Sequence, residues 1–373
     1  MIMKAKSLIP ILAAAILSVS ASAQETFKWI DPLKAGAEVH GQGWPELRGT
    51  YYRFPAKAKG NVTSSVWRLS RNSAGLSIVF RTDSPQIQVR YQVLERRAMY
   101  HMPSTGVSGV DLYAVDSNGD RHFVAPRTPA SFQDTITYNF TNIIDPVSGE
   151  AGREMTYRLS LPLYNTVTYL EIGIPEDRHL DFVPCPEGKP VVIYGSSITQ
   201  GGCCSRPSMA WPSIVSANLG LEVVNLGFSG AGKGEPECFD LLAEIDAGIF
   251  FIDCLPNMLL SEPIKERLLY GIKKIREAHD CPILLAEYSV CGQEGAIDTQ
   301  RRQQADAKNE ILAQVYRELR KEGMKKLYYL SADEWGAGMD GYVEGDHPND
   351  YGMMQLAEGA TAKLKHIIRK EKL

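Results

Sequence analysis

Long hydrophobic runs are scarce in this chain of 373 residues, and cysteine is missing from its first 184 residues. After residue 23, no segment approaches the roughly 20 continuous apolar residues of a membrane-spanning helix. Neither sign of charge dominates, because the chain has 40 Lys and Arg residues and 44 Asp and Glu residues. A nucleic-acid-binding protein usually carries a basic stripe on its surface. We therefore expect no stable membrane insertion and no nucleic-acid partner.

The seven cysteines do not follow a metal-binding pattern. Their spacing fits no zinc motif, and no cluster of cysteine and histidine is visible in the sequence. An odd number leaves at least one thiol unpaired in a monomer, and the sequence determines neither the pairing nor the oligomeric state. We expect buried thiols or one or two disulfides, and we expect neither a metal nor a cofactor. The cysteines are Cys185, Cys203, Cys204, Cys238, Cys254, Cys281 and Cys291.

The first 23 residues have the features of a bacterial export signal. Lys4 and Lys6 precede an apolar run at 8–17, and small residues at 21–23 form a cleavage site. This pattern predicts a secretory signal peptide, with Gln24 as the first residue of the mature protein. The apolar run is too short for a membrane anchor, and no cysteine follows the cleavage site. We therefore expect a secreted or periplasmic protein.

The segment 24–185 is rich in short strand patterns. Turn-forming clusters such as Asp-Ser-Asn-Gly-Asp at 116–120 separate them, and no convincing helical segment interrupts them. We expect an all-β sandwich domain of jelly-roll type over this range. The predicted strands lie at 76–81, 87–93, 110–115, 156–161 and 167–172.

A different pattern follows the Pro- and Gly-rich stretch at 184–190. Apolar runs alternate with helical patterns, of which the faces formed by 264–275 and 311–319 are the clearest. We expect residues 186–373 to form an α/β domain with a doubly wound, flavodoxin-like sheet of five parallel strands. Ligands of such sheets bind at the carboxyl ends of the strands. The predicted strands lie at 191–194, 223–226, 249–252, 283–286 and 327–330.

Four short segments carry the chemistry, and three of them directly follow a predicted strand. They are Gly-Ser-Ser-Ile-Thr-Gln-Gly at 195–201, Asn-Leu-Gly-Phe-Ser-Gly at 225–230, Asp-Cys-Leu-Pro-Asn at 253–257 and Glu-Gly-Asp-His-Pro at 344–348. In this order they resemble the four sequence blocks of the SGNH (GDSL-type) hydrolases. The stretch Gly-Val-Ser-Gly-Val-Asp-Leu-Tyr at 106–113 resembles the N-terminal jelly-roll domain of a bacterial subgroup of these enzymes. The chain also resembles carbohydrate acetyl esterases.

Ser197 is the candidate nucleophile in the first block. A serine hydroxyl needs an adjacent base, and His347 is the one histidine in a Gly- and Pro-bounded loop between the fifth strand and the last helix. Ser196 and Ser229 are rivals for the nucleophile. The resemblance places the nucleophile third in its block and therefore favours Ser197.

The carboxylate that orients His347 has two candidates. The resemblance implies an aspartate three residues before the histidine, but this position holds Glu344, and Asp346 directly precedes the histidine. The spacing favours Glu344, because a residue three positions back can fold onto the ring, whereas the side chains of neighbouring residues usually diverge. Both carboxylates remain candidates from the sequence.

The resemblance also implies an oxyanion hole, the set of donors that stabilises the negative charge of the tetrahedral intermediate. Its donors would be the backbone N–H groups of Ser197 and Gly230 and the side-chain amide of Asn257. In the commonest form of the third block, a Gly-x-Asn-Asp sequence carries this amide. Here Asp-Cys-Leu-Pro-Asn stands in its place.

Two competing motifs are incomplete. The stretch Gly-Phe-Ser-Gly-Ala-Gly-Lys at 227–233 begins like a phosphate-binding P-loop, but Gly234 follows where Ser or Thr should hold Mg²⁺. No Gly-x-Ser-x-Gly sequence occurs, which argues against an α/β-hydrolase.

The resemblance implies a secreted serine esterase that removes acetyl groups from carbohydrate, such as acetyl xylan or another acetylated glycan. One alternative is a carbohydrate-binding protein that keeps the hydrolase fold without activity. A second is a short-chain acylhydrolase or lipase-like esterase that acts on esters other than those of sugars. Arg206, Trp211 and Tyr288 lie near strand ends and are candidate substrate-binding residues.

Overall fold

The computed structural model describes residues 26–127, 132, 134–290 and 299–373. The predicted signal peptide and Cys291 lie outside these residues. The six cysteines within them are all free thiols. No helix in the described ranges is long and apolar enough to cross a membrane.

Two antiparallel sheets form the first half of the chain. One sheet has four strands in the order β1-β8-β3-β6, and the other has five strands in the order β5-β4-β7-β2-β9. The strands are β1 (Phe27–Ile30), β2 (Ser77–Thr82), β3 (Ile87–Val93), β4 (Asp111–Val115), β5 (Arg121–Val124), β6 (Thr135–Phe140), β7 (Met155–Ser160), β8 (Val167–Pro175) and β9 (Leu180–Phe182).

The two sheets share one hydrophobic core. Burial alternates along β3, where Ile87, Val89 and Tyr91 are buried, and these side chains belong to the same core cluster as Ile78 and Leu159 of the other sheet. A period of two is expected where one face of a strand packs on the core and the other faces water. The predicted antiparallel β-sandwich is confirmed.

Two short helices interrupt this half, contrary to the prediction that none would. Helix α1 spans Ser64–Ser70, and helix α2 spans Ser104–Val107. The Thr63 side chain caps α1 by accepting a hydrogen bond from the N–H of Val66. Val66 and Leu69 are buried against the core of the second half rather than that of the sandwich. The partly buried Trp67 packs against the same core. The pattern was missed because the helix is only 7 residues long.

The second half is built on a sheet of five parallel strands in the order β11-β10-β12-β13-β14, and the predicted doubly wound α/β fold is confirmed. The strands are β10 (Val191–Gly195), β11 (Val223–Gly227), β12 (Ile249–Asp253), β13 (Ile283–Ala286) and β14 (Leu327–Leu330). The helices are α3 (Ser197–Gln200), α4 (Trp211–Leu219), α5 (Pro236–Leu242), α6 (Ile264–Ala278), α7 (Thr299–Lys321) and α8 (Asp350–Glu371).

The strand order fixes where a ligand can bind. Every residue of β10, β11, β12 and β13 is buried, as expected for strands that helices cover on both faces. The chain runs from β10 to β11 on one side and then returns to place β12 on the other side of β10. The connections after β10 and β12 therefore diverge, which opens a crevice at the carboxyl ends of these strands.

The core of the second half also includes side chains that precede β2. Trp44, Leu47 and Phe54 belong to the same core cluster as the residues of the parallel sheet. The Trp44 indole donates to Glu244 Oε2 at 2.8 Å. Buried apolar residues from before residue 185 thus complete the α/β core, while the predicted domain division at that residue stays a prediction.

Candidate active site

The candidate nucleophile lies where β10 turns into α3. Ser196 is the N-cap of this short helix, because its side chain accepts from the N–H of Ile198. Ser197 is the first residue of the helix, and its Oγ lies 2.8 Å from Nε2 of His347. Ser196 is fully buried and committed to the cap, whereas Ser197 faces the histidine. The favoured candidate is therefore the serine that contacts the base.

His347 lies in the loop between β14 and α8, and Glu344 folds back onto it. One carboxylate oxygen of Glu344 contacts Nδ1 of His347 and also accepts the backbone N–H of His347 at 3.2 Å. The other oxygen accepts the N–H of Asp346 at 3.0 Å. Burial alone would raise the pKa of Glu344, but the hydrogen bonds from His347 and from the Asp346 backbone outweigh it and lower this pKa. A carboxylate held ionised in this way fixes the orientation of the imidazole.

The carboxylate of Asp346 points to different partners. Its Oδ1 accepts from the hydroxyl of Tyr288 at 2.6 Å and lies 2.5 Å from Nη1 of Arg301. Of the two candidates, Glu344 is the carboxylate that contacts the His347 ring. Ser197, His347 and Glu344 therefore form one continuous chain of hydrogen bonds.

Two backbone N–H groups are free to face a developing oxyanion. The N–H of Ser197 is at the start of α3, where a helix has no internal acceptor. Gly230 has a φ of +67°, is exposed, and follows β11 in the loop beside the nucleophile turn. Within the described residues, neither N–H has an acceptor. A positive φ favours glycine at this position, since other residues rarely adopt it.

The amide of Asn257 is engaged by the same loop. It donates to the carbonyl oxygens of Phe228 at 3.0 Å and of Gly232 at 3.1 Å, which flank Gly230 in sequence. An amide nitrogen carries two hydrogens, so both are used in this conformation. The structure thus places Asn257 where it positions the Gly230 loop. Donation from the Asn257 amide to an oxyanion stays a prediction, because the amide would first have to break one of these two hydrogen bonds.

A buried polar contact holds the turn that carries Ser197 against the end of β12. The hydroxyl of Thr199 donates to Asp253 Oδ2 at 2.6 Å, which joins α3 to the end of β12. Burial raises the pKa of Asp253 to about 7, partly offset by this hydrogen bond. Gly202 lies close by, and a Cβ at this position would lie 3.0 Å from Cδ2 of His347. The turn therefore tolerates little change of volume.

The β-sandwich also contributes to the site through its loops. The ring of His101 lies 5.3 Å from that of His347, and Tyr100 stacks on His101 at 4.2 Å. Tyr100 is 94% exposed. The Tyr164 hydroxyl donates to the carbonyl oxygen of Ser197 at 3.3 Å. Sequence reasoning missed these residues, because no local pattern marks a loop residue whose partners are far away in the chain.

The three candidate substrate-binding residues lie elsewhere or serve another contact. Trp211 is completely buried and packs against Phe251 and Trp335, so its assignment to the pocket is wrong. Arg206 lies 3.1 Å from the buried carboxylate of Asp111, at the contact between the sandwich and the α/β half, and its contact with substrate stays a prediction. Tyr288 is buried and holds Asp346, as described above.

Two groups in the site are kept neutral by their surroundings. Burial raises the pKa of the Cys203 thiol to about 12, and the nearby charge of Glu344 acts in the same direction. Burial, followed by the proximity of His347, lowers the pKa of His101. Burial thus favours the neutral forms of both side chains that flank the His347 ring.

Comparison with known families agrees with this geometry. Residues 188–365 match the GDSL-like lipase/acylhydrolase family, and residues 27–180 match a second family, described as the N-terminus of SGNH hydrolase-type esterases. Residues 188–365 thus belong to the GDSL-like lipase/acylhydrolase family. Together the two matches identify the protein as a carboxylic ester hydrolase. No curated protein sequence matches it.

Solved structures share the whole arrangement. A Bacteroides ovatus protein described as a GDSL-like lipase is 29% identical, with 92% of this chain and 98% of that chain covered and a TM-score of 0.82. A salicylyl-acyltransferase from a tetracycline biosynthetic pathway is 19% identical, with 91% and 97% covered and a TM-score of 0.71. A family two carbohydrate esterase from Cellvibrio japonicus is 11% identical, with 92% and 99% covered and a TM-score of 0.54. The last two likenesses concern the fold alone.

Proposed function

We propose that this SGNH hydrolase is an exported serine esterase that removes acetyl groups from carbohydrate. The observation that carries the proposal is the chain of contacts from Ser197 through His347 to Glu344, which has the geometry of an activated nucleophile. A chain of this kind performs acyl transfer without a metal or a cofactor.

The proposed reaction begins when Ser197 Oγ attacks the carbonyl carbon of the ester. His347 takes the serine proton through Nε2, and Glu344 stabilises the imidazolium that forms. The negative charge on the former carbonyl oxygen is stabilised by the N–H groups of Ser197 and Gly230. His347 then gives its proton to the departing alcohol. Water repeats the sequence with the acyl-enzyme and releases the carboxylic acid.

The rim of the site supports a sugar substrate. Tyr100 presents an almost fully exposed ring, and its other face stacks on His101 next to the catalytic histidine. An exposed aromatic ring is costly to leave in water, and it can pack against the apolar face of a sugar ring. The likeness to a carbohydrate esterase in overall fold agrees with this substrate class. The signal peptide expected at residues 1–23 would bring the enzyme to extracellular glycans.

The sequence leaves two alternatives to a carbohydrate deacetylase. A carbohydrate-binding protein without activity has no need for a serine within 2.8 Å of a histidine that a carboxylate holds, so the observed contacts favour an enzyme. A short-chain acylhydrolase acting on esters other than those of sugars would use the same three residues. The two functions share the three catalytic residues, so only the residues at the rim of the site, such as Tyr100, distinguish this alternative from a carbohydrate deacetylase.

The experiment is a comparison of substrates with the mature protein. We expect acetate release from acetylated xylan and from simple acetyl esters, a steep loss of rate with butyryl and longer acyl chains, and no release by Ser197→Ala. Ser229→Ala is the matched control, since Ser229 is the rival serine in the neighbouring loop and leaves the Ser197–His347 contact intact. Hydrolysis of simple esters without any activity on acetylated glycans would overturn the sugar assignment. Absence of activity on every ester would overturn the enzyme assignment.

A further inference from the structure

Three metal-ligating side chains from three separate parts of the chain converge next to the proposed nucleophile. His101 comes from the loop between β3 and α2, Cys203 from the turn after α3, and His347 from the loop before α8. One potential ligand atom from each residue lies within 4.8 Å of the others. The sequence shows no cluster of cysteine and histidine, because these three residues meet only in the folded protein.

Two of the three potential ligand groups have no hydrogen-bond partner among the described residues. Nδ1 of His101 is buried and has no hydrogen-bond partner. The Cys203 thiol is buried and free, and no hydrogen bond to another described residue involves it. A buried polar atom without a partner is uncommon and calls for an explanation, such as an ion.

The backbone at Cys203 adds a second observation. Its φ is +70°, a left-handed conformation that residues other than glycine seldom adopt. Such a conformation costs of the order of 1 kcal/mol or more and is found preferentially at functional sites. Here it holds the thiol beside the two imidazoles.

We propose that His101, Cys203 and His347 form an inhibitory site for a zinc ion. Two imidazoles and one thiolate are the ligand types that Zn²⁺ prefers, and a water molecule would complete the usual four ligands. Ligand atoms around zinc are roughly 3.3–3.8 Å apart, as bond lengths of about 2.1 Å to nitrogen and 2.3 Å to sulfur require. The cluster must therefore contract by about 1 Å. The loop of His101 can supply this movement, because Tyr100 and Pro103 on either side of it are exposed.

Zinc bound at this site stops the reaction because it occupies Nε2 of His347, the nitrogen that takes the serine proton. Glu344 holds Nδ1 of His347, so the cation reaches Nε2 and displaces the Ser197 hydroxyl from it. A carboxylate on the remote nitrogen of a zinc-bound histidine is a common arrangement in zinc proteins. The Cys203 thiol loses its proton to solvent as the sulfur–zinc bond forms, and no electron is transferred. Chelation of the metal reverses the inhibition.

The proposal is tested first by binding, which does not depend on the esterase assignment. Apo protein is titrated with Co²⁺, whose complex with a thiolate has a charge-transfer absorption that complexes without sulfur lack. We expect one such site per chain, loss of the absorption in Cys203→Ala, and at least tenfold weaker binding in His101→Ala. Cys281→Ala and His366→Ala are the matched controls, since Cys281 is another free thiol and His366 is an exposed histidine, and both should bind as the wild type does.

Zinc inhibition of ester hydrolysis is then measured with the same variants. The wild type and both controls should be inhibited at one equivalent of bound Zn²⁺ and should recover after addition of a chelator. Cys203→Ala should keep its activity without zinc. Cys203→Ala and His101→Ala, each compared with its own activity without zinc, should need at least tenfold more Zn²⁺ for the same inhibition. Equal cobalt absorption in wild type and Cys203→Ala would overturn the proposal, as would equal inhibition of all variants. If the wild type hydrolyses no ester at all, the proposed function fails, while the cobalt titration still decides the metal site.

Discussion

The guanidinium of Arg53 donates from Nη1 to the carbonyl oxygen of Gly227 at 2.7 Å, at the point where β11 ends and the Gly230 loop begins. Arg53 is 1% exposed, and its hydrogen-bond partners among the described residues are all backbone carbonyl oxygens. Its other donors reach the carbonyl oxygens of Leu69, Asn72 and Asn225. Burial lowers the pKa of Arg53 to about 9, so the group still carries its charge at neutral pH. One buried side chain therefore joins the N-terminal region to the catalytic loops.

Replacing Arg53 should destabilise the whole protein. Arg53→Met removes the donors of four buried carbonyl oxygens, and leaving buried polar groups unpaired is costly. We expect the free energy of unfolding to fall by roughly 3–5 kcal/mol in urea denaturation. Arg48→Met is the control, because the side chain of Arg48 is 77% exposed and its ion pair with Glu38 is long. A change below about 1 kcal/mol at Arg53 would contradict the role assigned to it.

The carboxylate variants separate the contributions of Glu344 and Asp346. Glu344→Gln replaces the acceptor at Nδ1 of His347, and we expect kcat to fall about 10²-fold, because the imidazole loses its orientation and the imidazolium its counter-charge. His347→Ala should reduce kcat further, by about 10⁴-fold or more, since it removes the base itself. Asp346→Asn should reduce kcat less than tenfold, because Asp346 contacts Tyr288 and Arg301 instead of the ring. Steady-state kinetics on one acetyl ester decides the order.

If Asp346→Asn is more damaging than Glu344→Gln, the orienting carboxylate is Asp346. The two arguments for Glu344, its contact with His347 and its spacing in the sequence, would then both be wrong. Circular dichroism of each variant ensures that a loss of rate does not come from unfolding.

The buried carboxyl of Asp253 predicts a pH dependence of stability. Its pKa is about 7 in the folded protein, against an ordinary value of 3.8 that an unfolded chain would show. Between these values the folded state binds more protons than the unfolded state, so this group contributes stability that is present below pH 4 and lost as the pH rises through 7. The full difference corresponds to on the order of 4 kcal/mol.

The variant Asp253→Asn should remove this dependence, since its amide stays neutral and its oxygen can still accept from Thr199. We expect the difference in free energy of unfolding between pH 5 and pH 8 to be smaller in Asp253→Asn than in the wild type. Asp246→Asn, at an exposed aspartate, should show the wild-type difference. A pH dependence that is unchanged in Asp253→Asn would show that the carboxyl is not buried in its protonated form.

The exposed ring of Tyr100 should affect the binding of sugar and not the chemical step. For acetylated xylan, Tyr100→Ala is expected to raise KM about 3- to 10-fold with kcat little changed, because a stacked ring is worth roughly 0.5–1.5 kcal/mol. Tyr100→Phe keeps the ring and should keep the wild-type KM. Ethyl acetate, which has no sugar ring, should show no difference among the three proteins. An equal rise of KM for ethyl acetate would mean that Tyr100 acts on the catalytic residues instead.

The sequence predicted the parallel sheet well, because its strands are short and mostly apolar, and four of the five are buried along their whole length. It predicted the candidate nucleophile and base through the order of the four segments. Helix α1 was missed because it is only 7 residues long, too short to show a helical period clearly. The contributions of Arg53 and His101 could not be predicted, since each meets its partners through contacts between residues far apart in the chain.

The central claim is that Ser197 is the nucleophile and that His347 activates it. The most direct measurement is the mass of the intact protein after treatment with a fluorophosphonate, a reagent that bonds covalently to an activated serine. We predict one adduct per chain, on the peptide that contains Ser197, together with complete loss of esterase activity. Ser197→Ala should gain no adduct and His347→Ala should react at least 10³-fold more slowly, while Ser229→Ala should react like the wild type. An adduct on Ser229 or Ser196, or hydrolysis by Ser197→Ala at the wild-type rate, would contradict the account.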